Sequence, residues 1–205
     1  MHLFRAIILT GVLSAAYALG QDAVPPKLDA SKGGDATYSN ECLSLEYHLP
    51  DGWKFAKIAE ATTGHQSAQK MTLFRAKRKS ADGPAESLEL DLLQTPTLKH
   101  PNMERFTILL AVSFVRVDST NNKIARDAYP VTIAGRSFFR SDLRSGDKVL
   151  SVFATWYRGY AVVAWATAPS PQDLEDVANA LGGLSFGEDK RTAECFDSPN
   201  PSSVR

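Results

Sequence analysis

Four groups of residues in this 205-residue chain are of types that could do chemistry. They are the imidazoles of His48, His65 and His100, the carboxylates of Glu89 and Asp91, the guanidinium groups of Arg136, Arg140, Arg144 and Arg158, and the cysteines Cys42 and Cys195. Nucleophilic catalysis on an α/β-hydrolase scaffold uses a strained Gly-x-Ser-x-Gly elbow, and the sequence has none. None of the three histidines lies in a triad signature: His48 alternates outward from a strand, His65 falls in a polar loop and His100 precedes Pro101. A triad is assembled in space rather than in sequence, so an unrecognised hydrolase stays open as a third reading. Metal chemistry finds no paired-histidine spacing, no close cysteine pair and no acidic calcium loop. Glu89 and Asp91 resemble an acid–base pair, but they alternate with Leu88, Leu90 and Leu92. That spacing predicts the wet side of a half-buried strand. Gly33-Gly34 and Gly182-Gly183 lie in an arm and at a helix end, so neither is a phosphate loop. The expected result is no catalytic residue, no metal site and no cofactor.

The arginines offer one binding reading. Arg136, Arg140 and Arg144 recur at even spacing on a strand, interrupted by Phe138 and Asp142, and Arg158 tips a neighbouring hairpin. Sharing a rim, they would take an anionic group or an acidic partner surface. The alternative is an ordinary solvated strand face neutralised by Asp142.

The cysteines are read through the N-terminus. Arg5 gives residues 1–20 a short positive region, Ala6 to Leu13 an apolar one, and Ala18-Leu19-Gly20 a small-residue cleavage site before Gln21. This is the pattern of a signal peptide. A membrane anchor is the competing reading, but the apolar run is short for a span. Export to the periplasm or the medium places Cys42 and Cys195 in an oxidising compartment. They are expected to form a disulfide clasping the C-terminal tail to the first strand, although a redox or metal pair would use the same residues. Hydrophobic residues make up 43% of the chain, enough for a core, and the formal charge is zero. Neither nucleic acid nor an anionic membrane is therefore indicated as the main partner, and no stable membrane insertion is expected once the signal is removed.

The elements that must position these residues centre on Val149 to Leu184. Val149–Tyr157 and Tyr160–Thr167 are rich in β-branched and aromatic residues, with Arg158-Gly159 between them as a tight turn. With Tyr157 facing Tyr160, both faces of the hairpin are apolar, so both need cover. Ser170, Pro171 and Asp173 then open a helix whose Leu174, Val177, Ala178 and Leu181 make one stripe. A second helix is expected over Met103–Val117, capped by Asn102, apolar over so broad an arc that deep packing is predicted. Earlier in the chain, strands are expected from Cys42 to Leu49, from Trp53 to Ile58, over Met71–Ala76 and over Ser87–Leu93. Asp118–Ala128 reads as an exposed polar loop, followed by strand at Val131–Ile133 and Arg136–Leu143. The domain plan is a signal peptide over 1–20, a flexible arm over 21–37, one domain over 38–187 and a tail over 188–205.

The order of these elements, with Leu45-Glu46-Tyr47-His48-Leu49-Pro50-Asp51-Gly52-Trp53 near the start, resembles the PsbP-like superfamily. The family pattern is an opening strand ending in Pro-x-Gly-Trp, a middle helix, two long late strands and a helix after a Pro/Ser-rich turn. Here that last part runs from Tyr160 to Phe186, and the resemblance covers about Thr37 to Phe186. It implies an α+β fold, an antiparallel sheet of about six to seven strands with helices on both faces, that is, an α/β/α sandwich. It also implies accessory or adaptor roles, as in photosystem extrinsic subunits, a Ran-binding protein of yeast and bacterial envelope proteins of the DcrB type, with no shared catalytic motif. The expected function is an exported, non-catalytic binding domain acting on another cell-envelope protein. A second class is a carrier of a small apolar ligand held by Trp156, Trp165, Phe106 and Phe114.

Overall fold

A computed structural model of the chain describes residues 31–33, 36–56, 70–79, 85–94 and 102–187. Among them the chain begins with short strands: β1 (Ser31–Gly33), β2 (Thr37–Asn40), β3 (Leu45–His48) and β4 (Trp53–Phe55). Longer strands β5 (Lys70–Arg78) and β6 (Glu86–Gln94) precede helix α1 (Met103–Val117). A meander of β7 (Asn122–Ile133), β8 (Arg136–Ser145), β9 (Lys148–Tyr157) and β10 (Tyr160–Ala168) leads into helix α2 (Pro171–Ala180). A 3-10 turn (Leu181–Gly183) and strand β11 (Leu184–Phe186) complete the described chain.

The strands form two antiparallel sheets. Seven lie in the order β4-β5-β6-β10-β9-β8-β7, and four in the order β1-β2-β3-β11. The large sheet has the six to seven strands expected, and the separate small sheet is the feature that the sequence reading lacked. The chain changes sheets at Pro50–Trp53, where Trp53 N–H donates to the Pro50 carbonyl (3.2 Å) and Gly52 has φ +82°. That left-handed backbone is why glycine precedes the buried Trp53. Residues 31–33, inside the segment read as an arm, pair with Tyr38–Asn40.

The β9–β10 hairpin is central, and its register is the predicted one, Tyr157 opposite Tyr160. Arg158 (φ +52°) and Gly159 (φ +88°) both adopt positive φ, as a type I′ turn requires to match strand twist. Alternate residues of the hairpin enter two apolar clusters. Val152, Ala154, Ala161 and Val163 join Ala111 of α1, with Phe106, Leu110, Phe114, Trp156 and Trp165 packed alongside. Phe153, Val162, Ala164 and Ala166 join Leu174, Val177 and Ala180 of α2 and the small-sheet residues Leu45, Tyr47 and Leu184. Period-2 alternation sends neighbouring side chains to opposite faces of a strand, so the hairpin divides the core.

Both helices start where the sequence places them. The Asn102 side chain accepts from Arg105 N–H (3.0 Å) and that of Ser170 from Asp173 N–H (3.2 Å), satisfying donors that a helix start leaves open. Two expectations fail. The polar segment Asp118–Ala128 is strand from Asn122 onward, because β7 is an edge strand with one side open to water, where polar residues suit a strand. And α1 is not deeply packed. Only Thr107 and Ala111 are buried, their small side chains letting the helix approach the sheet, while Leu109 is 63% and Val117 45% exposed. No described helix is long and apolar enough to cross a membrane.

Candidate functional site

The even-numbered arginines of β8 do share one strand face, but their environments diverge. Arg140 is 6% exposed. Its Nε donates to Asp142 Oδ1 (2.7 Å) and Ser151 Oγ (3.1 Å), and its Nη1 and Nη2 reach both carboxylate oxygens of Glu175 on α2. Burial opposes the charge, but the bonds to Glu175 and Asp142 outweigh it and hold the guanidinium above its ordinary pKa. Tyr129 O–H also donates to Asp142 (3.0 Å), and burial first, then the Asp142 charge, pushes that phenol up to about 12. The Arg140 fork is therefore occupied by this chain's own carboxylates. Arg144 is exposed, opposite Lys123 and Val149 in the ladder.

Arg136 and Arg158 are the two that meet. Both lie over the Tyr157 ring, 4.5 and 5.3 Å from its centroid, and Arg136 also covers Phe186 at 4.8 Å. This is the tip of the central hairpin, and it grips the turn that carries Cys42. Arg158 Nη1 donates to the Cys42 carbonyl (3.0 Å), and Tyr157 O–H is shared between the Leu43 carbonyl (2.8 Å) and that of Gly187 (3.2 Å). Gly187 N–H donates to the Ser44 carbonyl (2.7 Å). Cys42 itself is buried in the turn between β2 and β3, not on the predicted first strand, because Asn40 Oδ1 accepts from Leu43 N–H and folds the chain there. Among the described residues no cysteine is free; Cys195 lies outside them, as do His65, His100 and the Gly20–Gln21 cleavage site.

Asp91 is the clearest departure from the sequence reading. It is 1% exposed, because β6 is an inner strand and the side chains of Thr72 and Lys70 on β5 close over it. Thr72 Oγ1 donates to Asp91 Oδ1 (2.8 Å), and Lys70 Nζ lies 2.8 Å from Oδ2 and 3.3 Å from Glu89. Arg75 Nε completes the row on Glu89. Burial pushes Asp91 up to about 6 against the pull of Lys70. Burial also acts on Glu89, but the Arg75 bond and the Lys70 charge prevail and hold its carboxyl below the usual range. His48 is exposed as expected, its Nδ1 3.3 Å from Thr37 Oγ1. Trp156, Trp165, Phe106 and Phe114 are half-buried against the α1-side cluster, with Phe114 and Trp165 ring centroids 6.0 Å apart. No group of three or more metal-ligating side chains occurs among the described residues.

Sequence reasoning missed Glu175 and Tyr157. Glu175 is 35 residues from Arg140, and no local pattern signals such a pair. The Tyr157-Arg158 tip was visible as a turn, but not its grip on residues 42–44.

The fold defined by these elements is PsbP-like. Among solved structures, that of cyanobacterial PsbP (CyanoP) from Synechocystis sp. PCC 6803 is similar with a TM-score of 0.51 at 12% identity, covering 76% of this chain and 95% of that one. LpqN of Mycobacterium tuberculosis, described as involved in cell envelope biogenesis, gives a TM-score of 0.45 at 13% identity, over 70% of this chain and 83% of its own. No family model matches the sequence, and no curated protein does.

Proposed function

We propose that the chain is exported through residues 1–20 and acts as a non-catalytic accessory domain that binds another protein of the cell envelope. The observation that carries this reading is the outer face of α1. Arg105, Leu109, Val112 and Arg116 recur at i, i+4, i+7 and i+11, so they share one side of the helix. Leu109 stands out between two exposed guanidinium groups about 16 Å apart along the axis. That stripe suits a partner surface with an apolar centre and acidic side chains at either end. The accessory roles of PsbP-like proteins agree with it. The layering that goes with this reading is α1 on one face of the large sheet, with α2 and the small sheet on the other, leaving the outside of α1 for a partner.

A photo-crosslinker at exposed Ser113 tests it in extract of the producing cell's envelope. One discrete adduct is expected, reduced about tenfold or more by Leu109→Glu and by Arg116→Glu, with circular dichroism unchanged. An adduct that survives both substitutions, or no adduct at all, overturns the reading.

A further inference from the structure

Helix α1 lies against β7, β8 and β9, at one end of its face of the large sheet. One row of the ladder shows what the other end of that face carries. Opposite residues run from strand to strand as Lys54 on β4, Lys77 on β5, Ser87 on β6 and Thr167 on β10, then Leu150 on β9 and Leu143 on β8. Directly opposite residues of an antiparallel ladder share a face, so these six form one line across neighbouring strands. Leu150 and Leu143 belong to the cluster beneath α1. Beyond them the line turns polar: Thr167 and Ser87 are half-buried, Lys77 and Lys54 exposed. Strands about 4.8 Å apart spread these four polar side chains over roughly 14 Å.

The described fold does not answer the two ammonium groups. Among the described residues, the side chains of Lys54, Lys77, Ser87 and Thr167 make no hydrogen bond or ion pair. Glu89, in the next row, is held by Arg75 and Lys70. Like charges directly opposite in a ladder are destabilising, so the Lys54–Lys77 pair works against the fold that carries it. Elsewhere Arg75, Arg78 and Arg140 take carboxylates, of Glu89, Glu86 and Glu175, which their planar forks match. The unpaired cations of this row are lysines instead, compact charges that suit phosphate oxygens. We infer that the polar half of the row is a second docking surface, one that lays this end of the sheet against the phosphate headgroups of an anionic membrane. The lysines supply the attraction, and the Ser87 and Thr167 hydroxyls donate to phosphate oxygens. A flat, open row fits an array of headgroups rather than one enclosed anion. The formal charge of zero conceals it, because at short range local groups rather than the total set the field. The contact is peripheral and uses none of the outer face of α1, so it does not rest on the accessory reading.

Sedimentation of full-length protein with vesicles of phosphatidylglycerol mixed with phosphatidylcholine tests this. Binding is expected, and is expected to be lost in about 1 M salt, where the screening length falls to about 3 Å. Vesicles of phosphatidylcholine alone should bind at least tenfold less, and they report any contribution from the apolar residues 1–20. Lys54→Ala combined with Lys77→Ala is expected to lower partitioning about tenfold or more, whereas arginine at both positions should keep it within about twofold. Because the two lysines repel each other, the double alanine variant should melt no lower than the unaltered protein, which separates lost binding from lost fold. Equal binding to neutral vesicles, binding that survives salt, or full binding by the double alanine variant would each overturn the inference. So would capture on a polyglutamate resin as strong as on the anionic vesicles, which would assign the row to an acidic protein. Should the double variant fail to fold, the salt dependence and the polyglutamate comparison in the unaltered protein decide.

Discussion

Asp91 lies between Thr72 on β5 and Val163 on β10, and its buried carboxyl binds a proton more tightly than it does in the unfolded chain. Its folded pKa is about 6, against about 4 for an ordinary aspartate. Between those values the folded state holds a proton that the unfolded state has released. The contribution of this group is therefore complete below about pH 4 and lost as pH rises through about 6. Asp91→Asn should remove that slope. Urea midpoints of the two proteins are expected to shift in favour of the variant between pH 4 and pH 7, by an amount on the order of 2 kcal/mol. Parallel pH profiles would show that Lys70 holds Asp91 ionised throughout. The sequence shows Asp91 in alternation with leucines; it does not show that Thr72 and Lys70 of β5 close over it, and only that burial raises its proton affinity.

Helix α2 illustrates how an element combines a local start signal with distant packing. Ser170 satisfies the Asp173 N–H, while Leu174 and Val177 enter the core. Ser170→Ala is expected to cost about 1 kcal/mol and Leu174→Ala roughly 2–5, both read from denaturant midpoints. Equal losses would mean that the cap, not burial, fixes the helix. Arg140 adds a pin from below through Glu175, which the helical periodicity does not reveal. Helix α1 marks the opposite case. Its apolar arc is wider than the stripe it buries against the sheet, and the surplus at Leu109 and Val117 is exposed. A broad apolar arc states how much surface avoids water; it does not state whether this chain or another one covers it.

At the scale of the molecule, the turn between α2 and β11 makes a close backbone approach to β3, its neighbour in the small sheet. A Cβ on Gly183 would lie 2.2 Å from the His48 carbonyl oxygen and 3.3 Å from the Tyr47 ring, whereas nothing lies within 4 Å of one on Gly182. Adjacent glycines that look alike in sequence as a helix stop thus have different duties. Gly183→Ala is expected to destabilise by about 1–3 kcal/mol by forcing β11 away from β3, with Gly182→Ala close to neutral. Thermal melts of the two variants check this, and matched losses would place the constraint in the helix end instead.

The sequence by itself determined the features that neighbouring residues decide. These are the hairpin with Tyr157 facing Tyr160, the capped start of α2, the extent of α1, the Gly52-Trp53 turn and the alternation of Leu88, Leu90 and Leu92. Periodicity, caps and turn residues act over a few positions, so they can be read along the chain. The tertiary structure alone decided that Asp118–Ala128 continues into an edge strand, that β2 and β3 form a separate small sheet in which β3 pairs with β11, that Asp91 is buried and that Arg140 faces Glu175. Each of these depends on which strand lies beside which and what covers it. Those are contacts between residues far apart in sequence, and their energies leave no local mark.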